Sequence, residues 1–353
     1  MALHISPPTA NDTRSSLADW LELQCVLSER HIVTTATLAN VLDIAGDDTD
    51  ARTERDDQTG EVLDGAILES SRNAIIEALL DELEHRVNVM GNSYPYSINA
   101  RRQEIRLAVN DPIDNPSHAV YLFCLFASAI REKKLQPESD IRPLASLIPR
   151  GLQICACLAA AGYVVGEVSS FGFPREEGDA FLAALNSTYR RFGAGTIRTD
   201  VPAGWSESQK DGGIDVIAWR NHPDGMAGKT YLLGQTASGI GWKEKSILEY
   251  VGQFHRWFTT PPASFYLPAM FIPFTLHSEL VDSGEVAYFE ARRGRFEFHE
   301  PRFGIIFDRF RITHFAGRGM MPPNDGVDGI DQFQSVVDWV ADTIAATTTA
   351  RTA

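Results

Sequence analysis

Two short apolar runs near the middle of the sequence each carry one polar residue that could do chemistry. Asp215 opens the run DVIAW, and Gln235 closes the run YLLGQ. A Gly-Gly pair before Asp215 predicts a turn into a strand, and HPDGMAGK between the runs predicts a hairpin connection. If the two strands pair antiparallel, the start of the first lies beside the end of the second. Asp215 and Gln235 are then expected to meet at one end of a sheet.

A carboxylate and an amide oxygen at one sheet end suit a hard divalent cation. Mg²⁺ prefers oxygen ligands, and Mn²⁺ can replace it at such sites. A metal held there would polarise a phosphate group and lower the pKa of a bound water. Lys243 and Lys245 follow Gln235 within ten residues. Either ammonium could stabilise the charge that develops on a phosphate under attack.

This order of features resembles the PD-(D/E)XK restriction-endonuclease-like superfamily, and within it the Mrr-like branch, in which Gln replaces the second acid in a QxK motif. The resemblance covers roughly residues 165–275. It implies that Asp215 and Gln235 bind the metal. It also implies a metal-binding glutamate on a preceding helix, for which Glu177 is our choice and Glu176 is nearly as well placed.

The chain departs from the QxK motif at its last position, where Ala237 stands in place of lysine. Some members of the superfamily supply this lysine from the following helix. The resemblance therefore implies that Lys245 or Lys243 is the catalytic lysine. Lys245 is our first choice because Trp242 could fix its direction, and Lys243 remains open.

The apolar periodicity divides the chain near residue 160. Residues 1–160 are predicted to form a helical N-terminal domain or wrap, and 161–353 a restriction-endonuclease-like α/β nuclease domain with a C-terminal helix. Within the second part, strands are predicted at 216–219, 230–233, 265–274 and 304–315. Helices are predicted at 243–258 and from Pro174 onward. The acidic stretch 47–62 is expected to be a solvated loop or partly disordered.

Composition limits the class of protein. The chain has 353 residues, 44% of them hydrophobic, and a formal net charge of −15. These values are typical of a soluble globular protein, and no apolar stretch is long enough to indicate a membrane span. Four cysteines in apolar contexts without CxxC spacing indicate reduced core thiols and a cytoplasmic location.

The function that follows from the resemblance is metal-dependent hydrolysis of phosphodiester bonds in DNA. An effector of a prokaryotic restriction or phage-defence system is the expected setting, with a protein partner or a homo-oligomer as further possibilities. Local basic clusters allow phosphate binding in an acidic chain. The alternative is a nuclease-fold module without catalytic activity that binds nucleic acid or a partner protein within a larger assembly.

Overall fold

The computed structural model describes residues 3–9, 12–50, 65–108, 115–137, 142–172, 175, 180–202, 204–205, 212–276, 285–321 and 326–351. The helices are α1 (Arg14–Leu27), α2 (Thr35–Asp50), α3 (Gly65–Met90), α4 (Pro116–Arg131), α5 (Arg142–Val164), α6 (Phe181–Phe192), α7 (Ile247–Phe254), α8 (Glu285–Phe303), α9 (Arg309–Gly319) and α10 (Phe333–Arg351). The strands are β1 (Leu3–Ile5), β2 (Ile32–Thr34), β3 (Tyr96–Asn99), β4 (Glu104–Leu107), β5 (Leu135–Pro137), β6 (Glu167–Ser170), β7 (Thr196–Ile197), β8 (Val216–Arg220), β9 (Thr230–Thr236), β10 (Phe258–Thr260), β11 (Tyr266–Phe271) and β12 (Ile305–Phe307).

The largest sheet is mixed and has the strand order β12-β11-β9-β8-β6. The strands β6, β8 and β9 pair antiparallel, whereas β9, β11 and β12 are parallel. The predicted hairpin of two strands separated by HPDGMAGK is confirmed as β8 and β9. The protein is therefore a mixed α/β protein with a central sheet flanked by helices, as predicted.

Alternating side chains on β8 and β9 separate the two faces of this sheet. Val216 and Ala218 belong to a core shared with α1, α4, α5 and α9. Ile217 and Leu233 belong to a second core with α6 and α7. Successive strand residues point to opposite faces of the sheet. Alternate residues of one strand therefore pack against different sets of helices.

The N-terminal region is not purely helical, and in this respect the prediction was incomplete. The strands β2, β4 and β3 form a small antiparallel sheet, and β1 pairs with β5. Each of these strands has only three or four residues, too few for an alternating pattern to stand out in the sequence. The larger core contains residues from both sides of residue 160, including Leu17 and Val216. The domain division at residue 160 stays a prediction.

Two predicted elements in the C-terminal part were wrong. The strand predicted at 304–315 is only three residues long (β12), and α9 follows it. The Asp308 side chain caps α9 by accepting a hydrogen bond from Arg311 N at 3.2 Å. Such a cap favours a helix despite the β-forming residues that come after it. The helix predicted at 243–258 is divided into a 3₁₀ turn over Ile240–Glu244, the helix α7 and a second 3₁₀ turn.

A buried ion network joins the N-terminal helices to α9. We use this name for Asp19, Glu22, Glu82, Arg86 and Arg309, all of them buried. Arg86 donates to Asp19 and Glu22 at 2.7 Å and to Glu82 at 3.0 Å. Arg309 contacts both carboxylate oxygens of Asp19, at 2.7 and 2.9 Å. Burial acts to raise the pKa of Asp19, but Arg309 and Arg86 outweigh it and hold that pKa well below its ordinary value.

Contrary to the sequence prediction, the helix α5 is long and apolar enough to cross a membrane by length and composition alone. However, 72% of its apolar window is buried inside the protein, as in the core helix of a soluble protein. All four cysteines are buried, and none of them forms a disulfide. Burial raises the pKa of Cys124 to about 12, so this thiol is inert. A cytoplasmic location is consistent with these features and stays a prediction.

Candidate functional site

Asp215 immediately precedes β8, and the backbone around it is held tightly. Gly212 and Gly213 both adopt positive φ, as the predicted turn requires. A Cβ at Gly213 would lie 2.3 Å from the Tyr250 ring, so only glycine fits there. The Asp215 N–H donates to Gly234 O at 2.8 Å, and Asp215 O accepts from Phe171 N at 2.8 Å. The turn thus places Asp215 at the end of the sheet with little freedom.

The Asp215 carboxylate lies between the end of β9 and the helix α5. Its Oδ2 accepts hydrogen bonds from Thr236 N at 2.7 Å and from Thr236 Oγ1 at 3.0 Å. Its Oδ1 lies 2.8 Å from the point where a Cβ on Gly172 would be, and Gln153 Nε2 lies 2.6 Å from the same point. The absence of a side chain at Gly172 therefore keeps open the space where Asp215 and Gln153 approach each other.

Gln153 is a site residue that the sequence reasoning missed. It is buried and donates to Ser170 Oγ at 2.9 Å. The sequence did contain an indication that Gln153 is unusual, because it is the one strongly polar side chain in the run LQICACLAAAG. A buried amide in an apolar helix needs partners, and here they are at the end of the sheet.

Gln235 lies opposite Asp215 at the end of the strand ladder. Val216 pairs with Gly234 in antiparallel register, so Asp215, one residue before Val216, is opposite Gln235, one residue after Gly234. Gln235 is only 6% exposed, and its Oε1 is buried without a hydrogen-bond partner among the described residues. A buried, unsatisfied amide oxygen costs roughly 1–3 kcal/mol, so something outside the described chain is expected to satisfy it.

The two predicted lysines do not lie on the first turn of a helix, as we had expected. Lys243 lies in the last part of the 3₁₀ turn and is partly buried, with its Nζ 5.8 Å from the centre of the Trp242 ring. Lys245 is exposed and has extended backbone angles. Gly241 departs from helical angles and Ser246 is extended, so no continuous helix can form before Ile247. Trp242 therefore contacts Lys243, whereas the sequence suggested that it would orient Lys245.

The place of the missing QxK lysine is filled by an apolar residue. Ala237 is 2% exposed and packs in a cluster with Trp242 and Met270. A cation nonetheless reaches the same loop from α4: Arg131 Nη2 lies 3.5 Å from Ser238 Oγ. Arg131 belongs to the N-terminal half of the chain, so sequence spacing gave no indication of its position.

Glu177 and Glu176 lie outside the described residues. The helix α6 begins at Phe181, after both of them, and not at Pro174 as predicted. The roles predicted for these two glutamates stay predictions. The acidic stretch 47–62 was predicted as a loop, which is wrong for residues 47–50, because they belong to the helix α2. Residues 51–62 lie outside the described residues.

A magnesium ion at this end of the sheet would have the Asp215 carboxylate as its charged ligand and would keep most of its other ligands as water or phosphate oxygens. The backbones of Asp215 and Gln235 are opposite each other, but the Asp215 carboxylate lies on the side of α5, whereas Gln235 follows Leu233 on the face that meets α6 and α7. Mg²⁺ is commonly bound in this way, by one or two carboxylates together with substrate phosphates. Within the described ranges, no group of three or more His, Cys, Asp or Glu side chains could enclose a metal by itself.

Comparisons of the chain with protein-family models, with curated proteins and with solved structures find no match. The likeness to restriction-endonuclease-like nucleases accordingly rests on the residues of this chain alone.

Proposed function

We propose that this protein is a metal-dependent nuclease that hydrolyses phosphodiester bonds in DNA. The observation that supports it best is the buried Gln235 Oε1, which has no partner among the described residues; the backbone of Gln235 lies opposite that of Asp215 at the end of the ladder. A bound Mg²⁺ would satisfy that oxygen, and the Asp215 carboxylate would supply the negative charge that a cation requires.

The arrangement of elements also favours this proposal. The helix α5 precedes an antiparallel set of strands, β6, β8 and β9, and the helix α7 then leads to the parallel strand β11. A strand entered through Gly-Gly, a hairpin and a second strand with Gln one residue before its end are the features that the restriction-endonuclease-like resemblance requires. The restriction-endonuclease-like arrangement is therefore part of the proposal.

Each side chain has a distinct role in the proposed reaction. Asp215 and Gln235 would hold the ion, with Glu177 or Glu176 as the implied third ligand. When bound, Mg²⁺ (or Mn²⁺) polarises the phosphate and lowers the pKa of a water. Thr236 fixes the Asp215 carboxylate by two hydrogen bonds. Lys245 or Lys243 would stabilise the charge on the phosphate, and Arg131 adds positive charge to the loop after β9.

Supercoiled plasmid DNA is the substrate for the test, incubated with Mg²⁺, with Mn²⁺ and with EDTA. We expect nicking or linearisation with either metal, no cleavage in EDTA, and loss of at least 100-fold in rate for Asp215→Ala. Asp342→Ala removes an exposed carboxylate from α10 and should cleave as the wild type does. Full activity in Asp215→Ala would refute this site.

The lysines are tested in the same assay by separate alanine variants. We expect Lys245→Ala to lose more activity, because the Lys243 ammonium is already engaged by the Trp242 ring and the Lys245 side chain is exposed to substrate. Equal and mild effects would mean that both lysines only contact phosphate.

The second candidate is a non-catalytic module that binds DNA or a partner protein in a larger assembly. The burial of Ala237 where the family motif has lysine favours it. The two functions differ in one measurement: metal-independent DNA binding together with no cleavage by the wild type would support the module and contradict the nuclease. In either case a phage-defence setting, a cytoplasmic location and a homo-oligomer remain proposals.

A further inference from the structure

A cavity lined by three arginines opens beside the candidate site. We call it the arginine cavity; it is lined by Arg150, Arg175 and Arg191 together with the hydroxyls of Ser169, Ser170, Ser187 and Thr188. Its volume is about 280 Å³. This is slightly below the roughly 300–1,000 Å³ of typical small-molecule sites, so the cavity suits a single phosphate group with part of its sugar.

The charge of the arginine cavity contrasts with that of the whole chain. Among the described residues, its walls carry three guanidinium groups and two carboxylates, Asp328 and Asp331. The chain as a whole carries −15. Guanidinium groups clustered in an acidic protein attract anions to that point of the surface.

Asp328 and Asp331 differ in how they compensate the positive charge of the arginines. Asp328 is held by Arg191, with Nη1 and Oδ1 2.7 Å apart, and its Oδ2 accepts from Ser170 N at 3.1 Å. Arg191 also donates to Val168 O and Gly326 O, so it ties the segment around Asp328 to β6. Asp331 is exposed. Arg191 therefore has a structural role, and recognition of an anion falls to Arg150, Arg175 and the hydroxyls.

Arg150 and Arg175 are positioned by different contacts. Arg150 donates to Ser170 Oγ at 3.3 Å and to the Gln332 side chain. The Arg175 guanidinium lies 5.1 Å from the centre of the Phe171 ring and 5.6 Å from that of Phe181. Arginine that rests against aromatic rings in this way presents a planar set of N–H donors suited to phosphate oxygens.

The arginine cavity is joined directly to Asp215. Ser170 Oγ accepts hydrogen bonds from both Arg150, in the cavity, and Gln153, beside Asp215. Phe171, another cavity residue, donates its N–H to Asp215 O. A nucleic-acid strand with one phosphate at Asp215 would therefore have its neighbouring phosphates near this opening.

We propose that the arginine cavity binds a backbone phosphate of the DNA strand next to the bond at Asp215. This inference rests on the proposed nuclease function and names how the substrate strand is held. The cavity would contribute to DNA affinity in the absence of metal, whereas Asp215 would contribute to cleavage.

The test uses Ser187→Asp, with Ser187→Asn as the neutral control of the same size. Ser187 is exposed on α6 at the cavity wall, so the change adds a negative charge without removing a packed side chain. Binding of a fluorescent DNA duplex is measured by anisotropy in EDTA at several salt concentrations. We expect Ser187→Asp to bind at least ten-fold more weakly, with a salt dependence reduced by the equivalent of about one phosphate contact. Ser187→Asn should bind as the wild type does.

A second variant removes the positive charges themselves. Arg150→Met with Arg175→Met should weaken binding at least as much, while Arg293→Met, an exposed arginine on α8, should leave it unchanged. Thermal unfolding of each variant checks that the fold is retained. Wild-type affinity and salt dependence in both Ser187→Asp and the double variant would overturn the proposal.

Two further measurements distinguish this inference from the nuclease proposal. Asp215→Ala should bind the duplex normally in EDTA and fail to cleave it with Mg²⁺. Cleavage by Asp215→Ala would refute the nuclease site, whereas unaltered binding by the cavity variants would refute the phosphate site. Inorganic phosphate is titrated as a second probe. If it binds in a manner that depends on the arginines while duplex binding does not, the ligand is a small phosphorylated molecule and the assignment to DNA is wrong.

Discussion

Carboxylates are buried or half-buried in two regions of this protein, and the groups that contact them differ between the two. In the buried ion network, Arg86 contacts three carboxylates and Arg309 binds both oxygens of Asp19. At the end of the central sheet, the Asp215 carboxylate accepts hydrogen bonds from the neutral donors of Thr236. The neighbouring Gln235 Oε1 has none among the described residues.

The difference teaches that burial of charge does not by itself indicate a functional site. Asp19, Glu22 and Glu82 are more deeply buried than Asp215, yet guanidinium groups already neutralise them. A group with its partners inside the chain stabilises the fold, whereas an unsatisfied oxygen is open to an outside partner. Removing a polar group should therefore have opposite effects on stability in the two regions.

The largest effect is expected when Arg86 is replaced by Met. This change leaves Asp19, Glu22 and Glu82 buried with much of their compensating charge removed, and breaking a buried ion pair typically costs about 3–5 kcal/mol. Urea unfolding of the purified variant measures the loss, and failure to fold would agree with it. Arg293→Met breaks the exposed pair with Glu297 and should cost less than about 1 kcal/mol. Similar small costs in both variants would contradict the comparison.

A smaller, pH-dependent effect is expected for Asp19→Asn. We expect a loss of about 2 kcal/mol at pH 7, because the amide keeps hydrogen bonds but not the charge. Arg309 and Arg86 depress the pKa of folded Asp19, so its contribution is present above the ordinary value of 3.8. As the pH falls from about 5 to below 3.8, the unfolded carboxyl takes up a proton and the folded one does not. The difference between wild type and variant should therefore shrink on acidification; a difference that grows would show that the pKa is not depressed.

The smallest effect on stability, and of opposite sign, is expected for Gln235→Met. The change replaces an unsatisfied buried amide by an apolar side chain of similar length, so the free energy of unfolding should stay equal or rise by up to about 1 kcal/mol. Cleavage of plasmid DNA should fall at least ten-fold. Mg²⁺ should raise the melting temperature of the wild type more than that of the variant, because binding to the folded state stabilises it. Clear destabilisation would mean that Gln235 has a structural partner.

The sequence was sufficient to predict the local arrangement around Asp215. The Gly-Gly turn, the strands β8 and β9 and their antiparallel pairing all follow from short-range patterns: turn residues, β-forming runs and the length of the connection. Such patterns act over fewer than thirty residues, which is why they could be read without a structure.

What the sequence did not predict depends on contacts between distant parts of the chain. Gln153 approaches Asp215 only because α5 packs on the central sheet, and Arg131 reaches Ser238 from a helix more than one hundred residues earlier. The helix α9 was mistaken for a strand because Ile312 and Phe315 are also good strand formers, and the capping Asp308 was overlooked. Residues of the arginine cavity are likewise scattered from 150 to 331.

The pairing of Asp19 with Arg309 has a consequence for the synthesis of the protein. The two residues are 290 positions apart in the chain. When α1 leaves the ribosome, the arginine that balances its most tightly held carboxylate has not yet been translated. Because such distant contacts form slowly, the part of the larger core that α9 and α10 cover stays incomplete until almost the whole chain has emerged. A nascent chain stalled before residue 309 is therefore expected to be protease-sensitive and to engage chaperones, although it already contains Asp215 and Gln235.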